Sequence, residues 1–218
     1  MDNNLTDITV LLDRTGSMEN MVTEVIGGYN SFVKDQRTGQ GKAVITLIQF
    51  DSMNQHEVVY EAVDVKKAKL LDKTTYVPRA ATPLRDALGS AIVSTGERLE
   101  SMPEAARPSK VVFVVFTDGL ENCSKEYTQQ QIKDMVDHQT NVYNWQFVFM
   151  GAKIDAFAQG ADLSFAAMNT LQVGDGEVAM AASFAATSSN VKSYRSTGDT
   201  RTLSYSDDQR KEADNKTA

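Results

Sequence analysis

The sequence Lys-Val-Val-Phe-Val-Val-Phe-Thr-Asp at residues 110–118 is the most informative stretch of the chain for its fold. Its six consecutive Val and Phe residues are typical of a β-strand, and the run is far too short to span a membrane. Because apolar residues occupy both odd and even positions, both faces of the strand are expected to be buried. The stretch therefore predicts a central strand of a parallel sheet that is covered on both sides.

The segments around this strand alternate between strand-like and helix-like patterns. Between the short apolar runs, apolar residues recur every three or four positions, as they do on one face of a helix. Two runs, 44–50 and 56–63, lie so close together that they favour a hairpin, and hence one antiparallel edge strand. The order β-α-β-β-α-β-α-β-α-β-α is typical of a three-layer α/β/α sandwich, Rossmann-like, with a mostly parallel central sheet. The predicted strands are 8–12, 44–50, 56–63, 110–118, 145–150 and 170–173.

Composition limits the partners and the chemistry. The 218 residues include 22 Lys and Arg against 29 Asp and Glu, a formal net charge of −7, which argues against nucleic acid or an anionic membrane as the main partner. The single cysteine, Cys123, excludes an intrachain disulfide, and two histidines are too few for a His-rich metal hydrolase. Because no signal-like or membrane-spanning run is present, the predicted location is the cytoplasm, or the host cytoplasm if the gene is viral.

Length favours one domain, or one domain with a small appendage. We predict a domain over residues 1–195 and a polar C-terminal tail over 196–218. From Arg195 to the end, the only sizeable apolar residues are Leu203 and Tyr205. We therefore expect this tail to be solvated, or ordered by a partner.

Small oxygen-bearing side chains stand where predicted strands end or helices begin. In an open α/β sheet these positions gather at the carboxyl ends of the strands, where ligands bind. Carboxylates and hydroxyls without any soft ligand suit a hard cation such as Mg²⁺ or Mn²⁺. The candidate metal ligands are Asp13, Thr15, Ser17, Thr82 and Asp118.

Each of these residues also has a purely structural interpretation. Ser17 and Thr82 could be the N-caps of the helices that follow them, with Pro83 at the first helical position. Asp118 and Gly119 could form only a turn. It is their joint occurrence at three separate strand or helix ends that favours a metal site.

The same positions resemble the metal-ion-dependent adhesion site of von Willebrand factor type A (vWA) domains, in which Asp-x-Ser-x-Ser is followed by a Thr and later by an Asp. Here Thr15 replaces the first Ser and keeps the hydroxyl. Two segments are similar in sequence to the soluble intracellular or phage-type branch of the family: Leu-Leu-Asp-Arg-Thr-Gly-Ser-Met and Phe-Thr-Asp-Gly-Leu-Glu-Asn. The resemblance covers about residues 8–194.

The resemblance implies a role for each residue. Thr15 and Ser17 would bind Mg²⁺ or Mn²⁺ directly, Thr82 would do so in the ligand-bound state, and Asp13 and Asp118 would act mostly through water. An acidic side chain of a partner protein would fill the remaining position. The predicted function is therefore a metal-dependent protein–protein interaction module, an adaptor without catalysis. Some soluble relatives work beside AAA+ ATPases, which makes such an ATPase one candidate partner.

Three neighbouring residues are candidates for the rim of the site. Arg14 lies in the metal loop, and it is interpreted either as a solvated surface residue or as a second contact to an acidic partner. Glu121 and Asn122 follow Asp118 closely and are predicted to shape specificity rather than to bind the ion.

Two other functions remain open. Residues 13–17 also resemble the Asp-Lys-Thr-Gly-Thr loop of haloacid-dehalogenase-like phosphatases, in which Asp13 would be a nucleophile, but the expected second acid is replaced by Thr15. Alternatively, the chain is a structural or assembly protein with an unused site. In that case the polar stretch 206–208 could offer an acidic ligand to a second copy, forming a homo-oligomer.

Overall fold

A computed structural model describes residues 1–214 of the chain, which form six β-strands and six α-helices within that range. Short 3₁₀ turns link several of these elements. The strands are β1 (Asp2–Asp13), β2 (Lys42–Asp51), β3 (Asn54–Asp64), β4 (Pro108–Thr117), β5 (Gln146–Ala152) and β6 (Thr170–Val173). The helices are α1 (Val22–Gln36), α2 (Leu84–Ser101), α3 (Gln129–Tyr143), α4 (Ala156–Asp162), α5 (Glu177–Thr197) and α6 (Asp207–Asp214).

The strands form one sheet in the order β3-β2-β1-β4-β5-β6. All neighbouring strands pair in parallel except β3, which is antiparallel to β2 at one edge. The predicted three-layer α/β/α sandwich, mostly parallel with one antiparallel edge strand, is confirmed. The reversal of chain order between β1 and β4 places the carboxyl ends of these two central strands side by side, which is where ligands bind in such sheets.

The core has two parts, one on each face of the sheet. Helices α1 and α5 cover one face, and helices α2, α3 and α4 cover the other. Strand β4 contributes to both, because Val112, Val114 and Phe116 point to the first face while Phe113 and Val115 point to the second. This is the double burial that the apolar stretch at 110–118 predicts.

The C-terminal stretch differs from the expected solvated tail. Helix α5 continues to Thr197, and Leu203, Tyr205 and Ala213 are buried against it and β6. The Tyr205 hydroxyl lies 2.7 Å from Thr187 Oγ1. These three apolar side chains are each almost completely buried, and this attaches the stretch to the domain. The mostly polar composition of the stretch does not indicate this burial. The end of the predicted tail, residues 215–218, lies outside the described residues.

Among residues 1–214, none of the helices combines the length and the apolar character that crossing a membrane requires.

Candidate metal centre

Three chain segments meet at the carboxyl edge of the sheet. Strand β1 ends at Asp13 and its neighbour β4 ends at Thr117, so the loops that follow them start side by side. Main-chain hydrogen bonds attach the segment before α2: the Gly16 N–H donates to the Ala80 carbonyl (3.0 Å), and the Asn122 N–H donates to the Thr82 carbonyl (3.1 Å). The backbone itself therefore brings the three predicted segments together.

The hydroxyls of these segments form a continuous chain of contacts. Thr82 Oγ1 donates to Thr15 Oγ1 at 3.3 Å, and Thr15 Oγ1 lies 3.1 Å from Ser17 Oγ. Ser17 Oγ in turn donates to Asp118 Oδ1 at 2.5 Å. Oxygens in adjacent positions around an octahedral Mg²⁺ lie about 3 Å apart, given metal–oxygen distances of about 2.1 Å. The spacing of this oxygen set fits a small, hard cation.

Asp13 lies beneath this chain and is fully buried. Its Oδ1 accepts a hydrogen bond from the Thr15 N–H (2.7 Å), and its Oδ2 accepts one from Thr117 Oγ1 (2.5 Å). Burial raises the pKa of Asp13 to about 6, the negative charge of Asp118 adds to this effect, and the hydrogen bonds oppose it. A charged Asp13 is thus costly for the protein without a nearby cation.

Asp118 carries an oxygen that lacks a hydrogen-bond partner. The residue is 4% exposed, and its Oδ2 is buried without a hydrogen bond. The Lys153 ammonium is 3.6 Å from this oxygen, which is an ion pair but too long for a hydrogen bond. An unsatisfied carboxylate oxygen beside a set of hydroxyls fits a position for a cation.

Gly119 allows Thr82 to approach the loop after β4. A Cβ atom at this position would lie 2.8 Å from Thr82 Oγ1, closer than such atoms approach one another. Any larger residue would displace the hydroxyl at the start of the contact chain. The Asp118-Gly119 pair therefore has a packing requirement beyond forming a turn.

Neither Ser17 nor Thr82 acts as a helix cap. Ser17 lies in a 3₁₀ turn (Gly16–Met21), and α1 begins later, at Val22, without a side-chain cap. Helix α2 begins at Leu84 with Pro83 as its N-cap residue, so the predicted Thr82 cap with Pro83 inside the helix is wrong by one position. The capping interpretation of Ser17 and Thr82 fails, and their hydroxyls are used at the site instead.

Arg14 differs from both of its predicted interpretations. It is 4% exposed; its Nε donates to Asp51 Oδ2 (2.7 Å), and its guanidinium also contacts Gln49 and Glu57. Asp51 ends β2, beside the end of β1, and its buried carboxylate needs a positive partner. Burial alone would raise the pKa of Asp51, but the hydrogen bonds from Arg14, from the Met53 and Asn54 N–H groups and from Arg79 together outweigh burial and lower it. Arg14 is therefore neither solvated nor free to contact a partner protein.

The other two predicted rim residues lie against the site from the side of α2. Asn122 Oδ1 accepts from the Thr82 N–H at 3.0 Å, which fixes the segment that carries Thr82. The Glu121 carboxylate accepts from the N–H groups of Arg85 and Ser124, and it lines a surface cavity of about 390 Å³. These residues hold loops in place, and a role in specificity stays a prediction.

Lys153 is the residue that the sequence analysis missed. It directly follows β5, the neighbour of β4, so its position at the carboxyl edge of the sheet was available as a signal.

Within residues 1–214, no group of three or more His, Cys, Asp and Glu side chains is arranged to hold a metal ion. A cation at the carboxyl edge would consequently depend on hydroxyl ligands supported by two aspartates. The fold and this site define an α/β protein with a hydroxyl-rich cluster of oxygens at the carboxyl ends of β1 and β4, where the chain order of the sheet reverses.

The family follows from comparison with known proteins. The von Willebrand factor type A domain matches residues 7–196, and the chain belongs to this family. No curated protein matches the sequence.

Solved structures share the fold at low sequence identity. A von Willebrand factor type A protein from Catenulispora acidiphila is 15% identical with a TM-score of 0.52, over 91% of this chain and 42% of that one. The pilus adhesin SpaC from Lactobacillus rhamnosus GG is 12% identical with a TM-score of 0.63, over 88% and 30%. Proximal thread matrix protein 1 from the mussel byssus is 13% identical with a TM-score of 0.55, over 84% and 46%. The chain thus spans less than half the length of each, and the likeness concerns the fold alone.

Proposed function

We propose that this vWA domain is a metal-dependent protein-interaction module that binds Mg²⁺ or Mn²⁺ and, through the ion, an acidic residue of a partner protein. The observation that carries this proposal is the continuous oxygen chain from Thr82 through Thr15 and Ser17 to Asp118. Three chain segments converge there, and the buried Oδ2 of Asp118 has no hydrogen bond.

The residues present fit such an ion. Thr15, Ser17 and Thr82 would offer neutral hydroxyl ligands, while Asp13 and Asp118 would balance the charge from close by. When bound, the ion supplies an electrophilic position for an incoming carboxylate. Because neutral hydroxyls leave most of the ion's charge uncompensated, a carboxylate from outside gains a strong interaction.

Exposed apolar residues after several strand ends support a protein partner. Met53, Leu120, Phe157 and Val178 are all large, apolar and exposed, and they follow the carboxyl ends of β2, β4, β5 and β6 respectively. Exposed apolar side chains on the same edge of a domain as a polar anchor are typical of protein-interaction surfaces. vWA domains commonly mediate protein–protein interactions, in agreement with this proposal.

The proposal is tested by capture of partners in Mg²⁺ and in chelator. The wild type, Asp118→Ala and Asp137→Ala, an exposed aspartate on α3, serve as baits. We expect partners that the wild type and Asp137→Ala retain in Mg²⁺ and lose in chelator, and that Asp118→Ala never retains. Calorimetry with Mg²⁺ alone should show binding to the same two proteins. Metal-independent capture, or no heat with Mg²⁺ and Mn²⁺, would overturn the proposal.

The phosphatase alternative receives less support. A nucleophilic Asp13 would need an accessible oxygen, but its carboxylate is fully buried and both of its oxygens accept hydrogen bonds. Phosphatase turnover that Asp13→Asn abolishes would reverse this ranking. An AAA+ ATPase as the partner remains a prediction that the capture experiment addresses, while a cytoplasmic location and a homo-oligomer formed through residues 206–208 remain separate predictions.

A further inference from the structure

Lys153 occupies an unusual backbone position beside the candidate metal centre. It has a positive φ of 56°, a left-handed conformation that lysine rarely adopts. Strained residues of this kind cluster at functional sites, where the surrounding structure holds them. Here Gln172 of β6 fixes the loop, because its amide donates to the Gly151 carbonyl (3.2 Å) and accepts from the Ala156 N–H (3.1 Å).

The contact between Lys153 and Asp118 is electrostatic and weakly constrained. Its 3.6 Å length exceeds that of a hydrogen bond, and the lysine side chain is 39% exposed. Asp118 Oδ2 is buried and has no hydrogen-bond partner. The ammonium therefore supplies the counter-charge of this oxygen, and it can move away without breaking a hydrogen bond to Asp118.

The balance of charge changes when a divalent cation binds. Without the ion, Lys153 compensates Asp118. With the ion, Asp13 and Asp118 are already compensated, and Lys153 becomes a surplus positive charge. A cation bound beside Asp118 and the Lys153 ammonium carry like charges and therefore repel each other. Because the lysine side chain is part-exposed, an acidic group of a partner can reach it from solvent.

We propose that Lys153 couples the metal to the acidic partner. Its ammonium competes with the ion for Asp118 and keeps affinity for the metal alone low. Once the ion has taken its place, Lys153 offers a second positive contact, which selects partners with more than one acidic group. This inference rests on the proposed function and names the partner class as an acidic peptide segment.

The test compares three variants with the wild type. Lys153→Met removes the charge at similar size, and Lys153→Arg keeps it. Lys192→Met is the matched control, because Lys192 is also part-exposed and paired with an aspartate, Asp35, at 2.6 Å, away from the site. Mn²⁺ alone is titrated by calorimetry, and a hexaglutamate peptide is then titrated into each protein in saturating Mn²⁺.

We expect Lys153→Met to bind Mn²⁺ about tenfold more tightly than the wild type, with the gain shrinking at high salt. Lys153→Met should also melt at a lower temperature in chelator and bind hexaglutamate more weakly in Mn²⁺. Lys153→Arg and Lys192→Met should resemble the wild type in Mn²⁺ affinity.

Equal Mn²⁺ affinity of the wild type and Lys153→Met would overturn the inference and leave the proposed function standing. Unchanged binding of hexaglutamate would overturn the partner class. If none of the proteins binds Mn²⁺, the proposed function fails and this inference fails with it.

Discussion

Replacing Asp13 by Asn should stabilise the metal-free protein at neutral pH, although Asp13 is a predicted metal residue. The oxygen of the introduced amide can keep the bond from the Thr15 N–H. The amide nitrogen can donate to Thr117 Oγ1, whose own proton can then go to the Gly119 carbonyl, 3.1 Å away. The local hydrogen bonds therefore survive, and what the substitution removes is a buried charge.

The magnitude follows from the raised pKa. Burial, supported by the charge of Asp118, shifts the pKa of Asp13 from 3.8 to about 6. Because the folded state holds the proton more tightly, the free energy of unfolding falls as pH rises from about 4 to about 6, by about 3 kcal/mol at most. The substitution removes this loss of about 3 kcal/mol, but poorer hydrogen-bond geometry in the variant offsets about 1 kcal/mol of the gain in stability. In chelator, the variant should be more stable by about 2 kcal/mol at pH 8 and slightly less stable at pH 4.

Urea unfolding of both proteins in chelator at several pH values measures this difference. Asp72→Asn is a control of opposite sign, because the Thr74 hydroxyl and nearby N–H groups lower the pKa of the exposed Asp72. Millimolar Mg²⁺ should then stabilise the wild type at pH 8 far more than Asp13→Asn. A stability difference between Asp13→Asn and the wild type that does not change with pH would refute the argument that the buried charge of Asp13 destabilises the metal-free protein.

Two further predictions concern the parts of the fold that support the site. Arg14→Met should lower the free energy of unfolding by about 3 kcal/mol, because the half-exposed Arg79 is then the one cation left in contact with the buried Asp51. Arg79→Met should cost less than about 1 kcal/mol. Equal losses of the two variants in denaturant unfolding would contradict the assigned network. Leu203→Ala should lower the free energy of unfolding by about 2–4 kcal/mol, since this side chain is fully buried, whereas Leu120→Ala, at an exposed position, should change it by less than about 0.5 kcal/mol. Unfolding followed by circular dichroism and fluorescence measures both values. An unaffected Leu203 variant would show that the C-terminal stretch does not stabilise the domain.

The local pattern of the sequence determined the architecture. The apolar run at 110–118 predicts a doubly buried strand, and the alternation of strands and helices predicts the sandwich, because burial of each element follows from its own periodicity. The sequence also indicated the five candidate metal residues. They stand at strand ends or before a helix, and the geometry of a parallel sheet gathers such positions at one edge.

Only the tertiary structure decided which direction the side chains take and which distant groups they meet. Arg14 turns inward because the carboxylate of Asp51 is buried beside it, and this carboxylate belongs to a different strand. Lys153 reaches Asp118 because β5 lies next to β4 in the sheet, although the two residues are far apart in the chain. Leu203 is buried because the turn that carries it packs on α5. Each of these outcomes depends on a contact between remote segments, which the periodicity of a single segment cannot contain.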